Sequence, residues 1–314
     1  MSHDFSGKTI DLTCIVHTRD SEATLEKCLA SVTWARDLVV VDMQSSDHTL
    51  DIARRYQARI FSTSIVPRVD SIRTRYLEKA ACEWVLVLDS DEYLAADAAI
   101  SVRRLLDDHQ GLFDGFEIPR YNKIAGQIMR GNSWYPDHQL RLFRKGTVSW
   151  DDATHRHPKS LTGSHRIKRL SPLPCLHIHH DNYRDVRHFI RKQLQYALDD
   201  NYDDDPGGFD FSDYMAEAYK RLAIHGDVRT DGDLAHALSL VMAWDQIVRG
   251  LVHWDSLNPR PPLAHLRVLP IRQSRSATVQ TMCRKALGRL FPRIGHLKNE
   301  LFRVKEAIQR KLNP

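Results

Sequence analysis

Trp84-Val85-Leu86-Val87-Leu88-Asp89-Ser90-Asp91-Glu92 is the stretch on which the reading of the whole chain turns. Five apolar residues run straight into acids, without the alternation of a half-buried strand, so both faces of the segment need cover. That pattern reads as a strand inside a parallel sheet, ending where the carboxylates begin. Toward the amino terminus it recurs twice: Leu12–His17 runs into Thr18-Arg19-Asp20, and Leu38–Val41 runs into Asp42. Amphipathic stretches separate these strands. Leu25, Cys28, Leu29 and Val32 stand at helical spacing behind a cap at Asp20 or Ser21, and Leu50, Ile52, Ala53 and Tyr56 follow Ser45-Ser46-Asp47. Ala58–Ser62 reads as a short strand and Ile72–Ala81 as a helix. Such alternation implies βαβ units, whose ligands sit at the carboxyl ends of the strands. Three polar clusters are therefore expected to converge on one crevice.

Toward the carboxyl terminus the elements change. Gly115–Pro119, Gln139–Phe143 and Cys175–Ile178 read as short strands, and Val186–Leu198, Phe211–Ile224 and Leu234–Val252 as helices. Asp203-Asp204-Asp205-Pro206-Gly207-Gly208 breaks the helical run, and Asn258-Pro259-Arg260-Pro261-Pro262 reads as a linker. Beyond it, Cys283, Leu287, Leu290, Ile294, Leu297, Leu301, Val304 and Ile308 mark the seam of an amphipathic helix, divided at Pro292.

Composition narrows the classes. The 314 residues are 42% hydrophobic and 27% charged, as in a soluble globular protein. No apolar run approaches the roughly 18 residues that span a bilayer. Met1 to Lys8 lack a basic-then-apolar pattern, so a secretory leader is not expected. The five cysteines are scattered without CxxC spacing, which points to a reducing cytoplasm. Charge is uneven: residues 260–314 carry 13 Lys and Arg against two acids, a balance of +11, and the rest of the chain carries −6. The expected partner of that tail is an anionic membrane surface; packing on the body or dimerisation are the alternatives. Nucleic acid is not expected, since neither a motif nor interleaved aromatics are present.

The chemistry concentrates at Asp89 and Asp91. Two carboxylates two residues apart at a strand end can meet one hard divalent cation, Mg²⁺ or Mn²⁺, carrying a diphosphate. A solvated loop capping the next helix is the plainer alternative. His177 and His179 fall on one face of a strand-like segment with His180 opposite, and are expected either to complete a metal site begun by Asp91 or to bond to backbone. Trp134 and Tyr135 could stack on an acceptor sugar or pack a lid. Asp137 could serve as a base or turn the chain after Pro136.

Taken together, Thr18-Arg19-Asp20, Val39-Val40-Val41-Asp42-Met43-Gln44-Ser45-Ser46-Asp47-His48-Thr49, Arg73, and Glu83 through Glu92 resemble glycosyltransferase family 2, of GT-A fold. Trp134-Tyr135-Pro136-Asp137-His138-Gln139-Leu140-Arg141-Leu142-Phe143-Arg144 resembles the acceptor-side segment of its lipopolysaccharide-core glucosyltransferase-like branch, as does His177–Tyr183 with the helix through Lys192 and Tyr196. The resemblance covers about residues 10–200. It implies that Asp42 bonds the base of a nucleotide-sugar, Thr18 and Arg19 line the nucleoside pocket, and Arg73 holds the sugar or diphosphate. It also implies that Asp89 and Ser90 meet the nucleotide-sugar, and that Asp89 and Asp91 meet the metal. Asp20-Ser21, Gln44 and Cys82-Glu83 depart from the family pattern. The usual downstream His-Glu is replaced by His155-Arg156 or His157-Pro158, so the base is expected at Asp137, with Asp151 and Asp152 as the alternatives.

The expected architecture is α/β: a GT-A, Rossmann-like, mostly parallel sheet with flanking helices, followed by a helical C-terminal region. Its parts are a glycosyltransferase domain over 8–182 (a nucleotide-binding half, 8–100, and an acceptor half, 101–182), helices over 183–258, and a basic tail over 259–314. The expected activity is metal-dependent, inverting transfer of a sugar from a nucleotide-sugar to a glycan or lipid-linked acceptor. The expected setting is envelope polysaccharide or lipopolysaccharide synthesis in the cytoplasm, peripheral to the inner membrane. The alternatives are a metal-dependent nucleotidyltransferase or phosphohydrolase, and a non-catalytic protein of degenerate GT-A fold.

Overall fold

The computed structural model describes residues 9–66, 69–109, 111–131, 134–150, 158–172, 176–199, 209–225 and 228–257. Asp151, Asp152, His155, His157 and the basic tail lie outside the described residues. Strand and helix alternate through β1 (Ile10–Thr18), α1 (Leu25–Ala30), β2 (Ala35–Asp42), α2 (Thr49–Arg55), β3 (Arg59–Ser62), α3 (Asp70–Leu77) and β4 (Trp84–Asp89). Then come β5 (Glu92–Leu94), α4 (Ala98–Asp108), β6 (Gly115–Ile118), β7 (Arg120–Ile124), β8 (Gln127–Ile128), β9 (Gln139–Arg144), β10 (Val148–Ser149), β11 (Lys159–Ser160), β12 (Ile167–Arg169) and β13 (Ile178–Tyr183). The described chain closes with α5 (Val186–Asp199), α6 (Phe211–His225) and α7 (Val228–Leu257).

The main sheet has the order β12-β6-β9-β4-β1-β2-β3. β3, β2, β1 and β4 are parallel, and β9 runs antiparallel to both β4 and β6. The mostly parallel α/β architecture read from the sequence is the one observed. Its cause is visible in β1 and β4. Leu12, Cys14, Val16, Leu86 and Leu88 pack on one side with α1 and α4, while Ile15, Val85 and Val87 pack on the other with Tyr76 and Leu77 of α3. Complete burial of each such aliphatic side chain contributes about 1.5–3 kcal/mol.

Of the second sheet, β5-β13-β7-β8, only β13 overlaps an expected strand, Cys175–Ile178; the other two short strands expected here became β6 and β9 of the main sheet. β13 begins later than expected, at Ile178, and runs through the polar residues up to Tyr183. β7 is too polar to stand out by alternation, whereas α4, with Ala98, Val102, Leu105 and Leu106 at helical spacing against the core, was legible and was missed. A third core of Ile124, Met129, Phe189, Ala235 and Leu238, with Trp134 and Tyr183 against it, joins this sheet to α5 and α7. α7 breaks at Gly232 (φ 65°, ψ −156°), a backbone region essentially confined to glycine. Among the described residues no helix is long and apolar enough to cross a membrane.

Candidate active site

Parallel register sets the first polar cluster. Thr18 pairs with Asp42 across β1 and β2, and His17 pairs with Asp89 across β1 and β4, so three strand ends lie side by side. The loops that follow turn sharply through left-handed residues, Asp20 (φ 44°) and Gln44 (φ 59°). They are tied together. Asp20 accepts from the Ser46 amide at 2.7 Å, the Ser21 amide donates to Thr49 Oγ1 at 2.7 Å, and the Ser21 and Ser90 hydroxyls lie 2.9 Å apart. Asp42 is buried and takes the Ser45 amide between its oxygens at 3.2 and 3.3 Å. The buried Thr18 hydroxyl has no hydrogen-bond partner among the described residues. Arg19 is exposed, 3.7 Å from Asp20.

Beneath the β4 end runs a chain of alternating charges. Arg73 donates to Asp70 at 2.9 Å and to Asp89. Arg141 Nη2 donates to Asp89 at 2.6 Å and to Glu92 at 3.1 Å. Arg120 links Glu92 (2.6 Å) to Asp137 (2.6 Å through Nη2, 2.9 Å through Nε). Glu92 is fully buried, and its other oxygen accepts the Asp89 amide at 3.0 Å. Burial alone would raise the Asp89 carboxyl, but Arg141 and Arg73 outweigh it and hold it well below the usual carboxylate range. Glu92 and Asp137 are likewise lowered: burial opposes ionisation, and Arg141 and Arg120 respectively lead the groups that overcome it. A cavity of about 480 Å³ opens on this chain, lined by Asp70, Arg73, Asp89, Arg120, Arg141 and Trp150 among others.

The small sheet divides the histidines. One cross-strand row is Tyr93, His179 and Tyr121; the next is Glu92, His180 and Asn122. Strand alternation sends the two rows to opposite faces. His179 stacks on Tyr93 (5.0 Å, 18°), and His177 stacks on Tyr121 (4.3 Å, 5°) with Nε2 3.0 Å from the Tyr135 hydroxyl. The imidazole that approaches Asp91 is His180, with Nε2 3.5 Å from Oδ2. Of the residues expected at a metal, Asp91 lies beside His180, Asp89 gives one oxygen each to Arg73 and Arg141, and His177 and His179 lie on the aromatic face. Among the described residues no three His, Cys, Asp or Glu side chains are grouped to hold a metal ion.

The acceptor-side segment is held rather than displayed. Trp134 packs against Phe189 (6.3 Å) in the third core, and the Tyr135 ring stacks on Tyr121 (4.9 Å, 10°). Asp137 accepts from Arg120, Asn122 (2.9 Å) and Gln139 (2.6 Å). A carboxylate so engaged is a weak base, which counts against Asp137 as the proton acceptor. Asp231, just before the α7 break, accepts the Arg130 and Gly131 amides, each at 2.8 Å, and so ties this segment to the helices. The sequence reading missed Arg120, Arg141, Glu92, Asn122 and His180 as site residues. Arg141, set between Leu140 and Leu142 within an apolar strand, was the available signal, because a charge there needs a buried partner.

Residues 13–158 match the family model described as Glycosyl transferase family 2. A TPR repeat-containing protein of Synechococcus elongatus is 34% identical over 116 residues, which are 37% of this chain and 28% of that protein. The match thus spans little more than a quarter of that relative's length. Among solved structures, S. aureus TarS residues 1–349 is similar with TM-score 0.43 and 15% identity, over 79% of this chain and 91% of that one. Glucosyl-3-phosphoglycerate synthase from Mycobacterium tuberculosis is similar with TM-score 0.30 and 21% identity, over 37% and 45% of the two chains.

Proposed function

From the premise that residues 13–158 are a glycosyl transferase family 2 domain, we propose that the protein transfers a sugar from a nucleotide-sugar to a hydroxyl of a glycan or lipid-linked acceptor. The observation that carries this reading is the convergence of Thr18, Asp42 and Asp89 at three adjacent strand ends, beside a polar cavity large enough for a sugar. Asp42, Thr18 and Arg19 serve the nucleoside, with Ser90 beside them through Ser21. Arg73 and Asp89 form the wall against which the donor sugar rests.

In an inverting transfer, the acceptor oxygen bonds to the anomeric carbon as the carbon–oxygen bond to the diphosphate breaks. The acceptor proton passes to a carboxylate, and the nucleoside diphosphate leaves. With Asp137 committed to Arg120, the base falls to the alternatives Asp151 and Asp152, which lie outside the described residues. A divalent cation fits Asp91 and His180 Nε2, a carboxylate and an imidazole facing each other across 3.5 Å, with its remaining positions left to water and phosphate oxygens. Bound there, it would neutralise charge on the leaving diphosphate. The division at 8–182, 183–258 and 259–314 belongs to the same proposal, as does envelope polysaccharide or lipopolysaccharide assembly at the cytoplasmic face of a membrane. The +11 balance of residues 260–314 supports an anionic membrane surface as the tail's partner.

The test is a thermal-shift screen of nucleotide-sugars with and without Mn²⁺, on wild type and Asp91→Asn. At 100 times its dissociation constant a ligand stabilises by about 2.7 kcal/mol, a shift of several degrees. A metal-dependent shift with one nucleotide-sugar, lost in Asp91→Asn, is expected. No shift with any of them overturns the proposal.

A further inference from the structure

Asn122 stands between the two halves of the site. It is 2% exposed on β7, in register with His180 on β13. Its side-chain nitrogen donates to Asp137 Oδ2 at 2.9 Å and to the Trp134 carbonyl at 3.1 Å. Both of those partners are obligate acceptors, so the orientation of the amide is fixed by chemistry: its nitrogen must face them. The oxygen must then face His180 Nδ1, 2.9 Å away, and it also accepts from the Asn182 side-chain nitrogen, Nδ2, at 3.4 Å. A carbonyl-type oxygen offers no proton, so Nδ1 carries one. In the neutral imidazole the lone pair is then on Nε2, and Nε2 faces Asp91. Two acceptors brought to 3.5 Å repel unless a metal cation, or a second ring proton on Nε2, lies between them.

We infer that Asn122 is a positioning residue that locks His180 in the Nδ1–H tautomer, presenting the Nε2 lone pair beside Asp91 for a divalent cation, and that through its other end it registers this cation site against Asp137. The inference rests on the reading of Asp91 and His180 as a cation site. It adds that one carboxamide couples the donor side of the cleft to the acceptor side. Outer groups of this kind characteristically change metal affinity 10- to 100-fold when removed.

Two measurements test it on the full chain. The first is long-range ¹H–¹⁵N NMR of histidine-labelled protein without metal, with the His180 signals assigned by their loss in His180→Gln. The Nδ1–H pattern is expected, and the Nε2–H pattern overturns the inference. The second is Mn²⁺ affinity, by titration with Mn²⁺ alone and with Mn²⁺ plus inorganic pyrophosphate. Asn122→Ala should bind 10- to 100-fold more weakly, whereas Asn122→Gln, which keeps an amide oxygen for Nδ1 and an amide nitrogen for Asp137, should stay within about 3-fold of wild type. Equal losses in both variants would show a merely structural residue and overturn the inference. If wild type itself fails to bind Mn²⁺, the cation site is wrong, and the tautomer measurement alone decides whether Asn122 sets the imidazole.

Discussion

Arg141 reaches Asp89 from inside the main sheet, its Nη2 2.6 Å from Oδ2, while the same nitrogen lies 3.1 Å from fully buried Glu92. One guanidinium on β9 therefore bridges two carboxylates, at the end of β4 and the start of β5. Without it Asp89 would keep Arg73, and Glu92 would keep Arg120, as the remaining counter-charge.

Arg141→Met should be strongly destabilising. Removing one partner of a buried ion pair costs about 3–5 kcal/mol, because the remaining charges lose their counter-ion but keep their desolvation cost. Urea unfolding of wild type and variant measures this directly. A loss under 1 kcal/mol would mean that Arg73 and Arg120 suffice for Asp89 and Glu92.

Acid should unfold the protein through the same groups. Asp89, Glu92 and Asp137 all have carboxyls lowered in the folded state. Their contribution is fully present above the unfolded carboxylate values, about 4, and is lost as pH falls through the lower folded values. Tm followed from pH 5 to pH 2 should drop steeply below about pH 4, and a flat profile there contradicts the ionised network.

His17 adds a second limb at higher pH. Both ring nitrogens are buried without a hydrogen-bond partner among the described residues, and the ring packs edge-on against Tyr76. Burial, with Arg73 and Arg141 beside it, pushes its pKa well below the usual imidazole value. The unfolded chain thus takes up a proton near pH 6.5 that the folded chain refuses, and stability falls as pH drops below that value. The slope from one such group is at most about 1.4 kcal/mol per pH unit. His17→Leu should remove it between pH 6.5 and 5; parallel curves for the two proteins would contradict a neutral His17.

Asp231→Ala should loosen the acceptor-side segment before the rest of the molecule. It strips the acceptor from two backbone amides, Arg130 and Gly131, at a cost of about 1–3 kcal/mol for each donor left unpaired. Hydrogen exchange should accelerate at those amides and at Trp134, with β1 and β4 unchanged. Uniform acceleration over the whole chain would point to global destabilisation instead.

The parallel half of the sheet is legible from the amino-acid sequence alone. Leu12–His17, Leu38–Val41 and Trp84–Leu88 are apolar on both faces, and such segments have no stable place except between two layers of helices. The sequence also placed Thr18, Asp42 and Asp89 at strand ends, because the apolar run stops where those residues start. What it could not determine is which polar side chain meets which. β7 and β13 are short and polar, so their hydrophobic pattern does not fix their register, and a shift of one residue exchanges the His179 row for the His180 row. Pairing with β5 settled that choice and put His180, rather than His177 or His179, beside Asp91. The partners of Asp89 come from positions 16 residues upstream and 52 residues downstream. Burial of a charge demands such partners without saying where in the chain they lie, and only the closing of β9 against β4 brought Arg141 to Asp89.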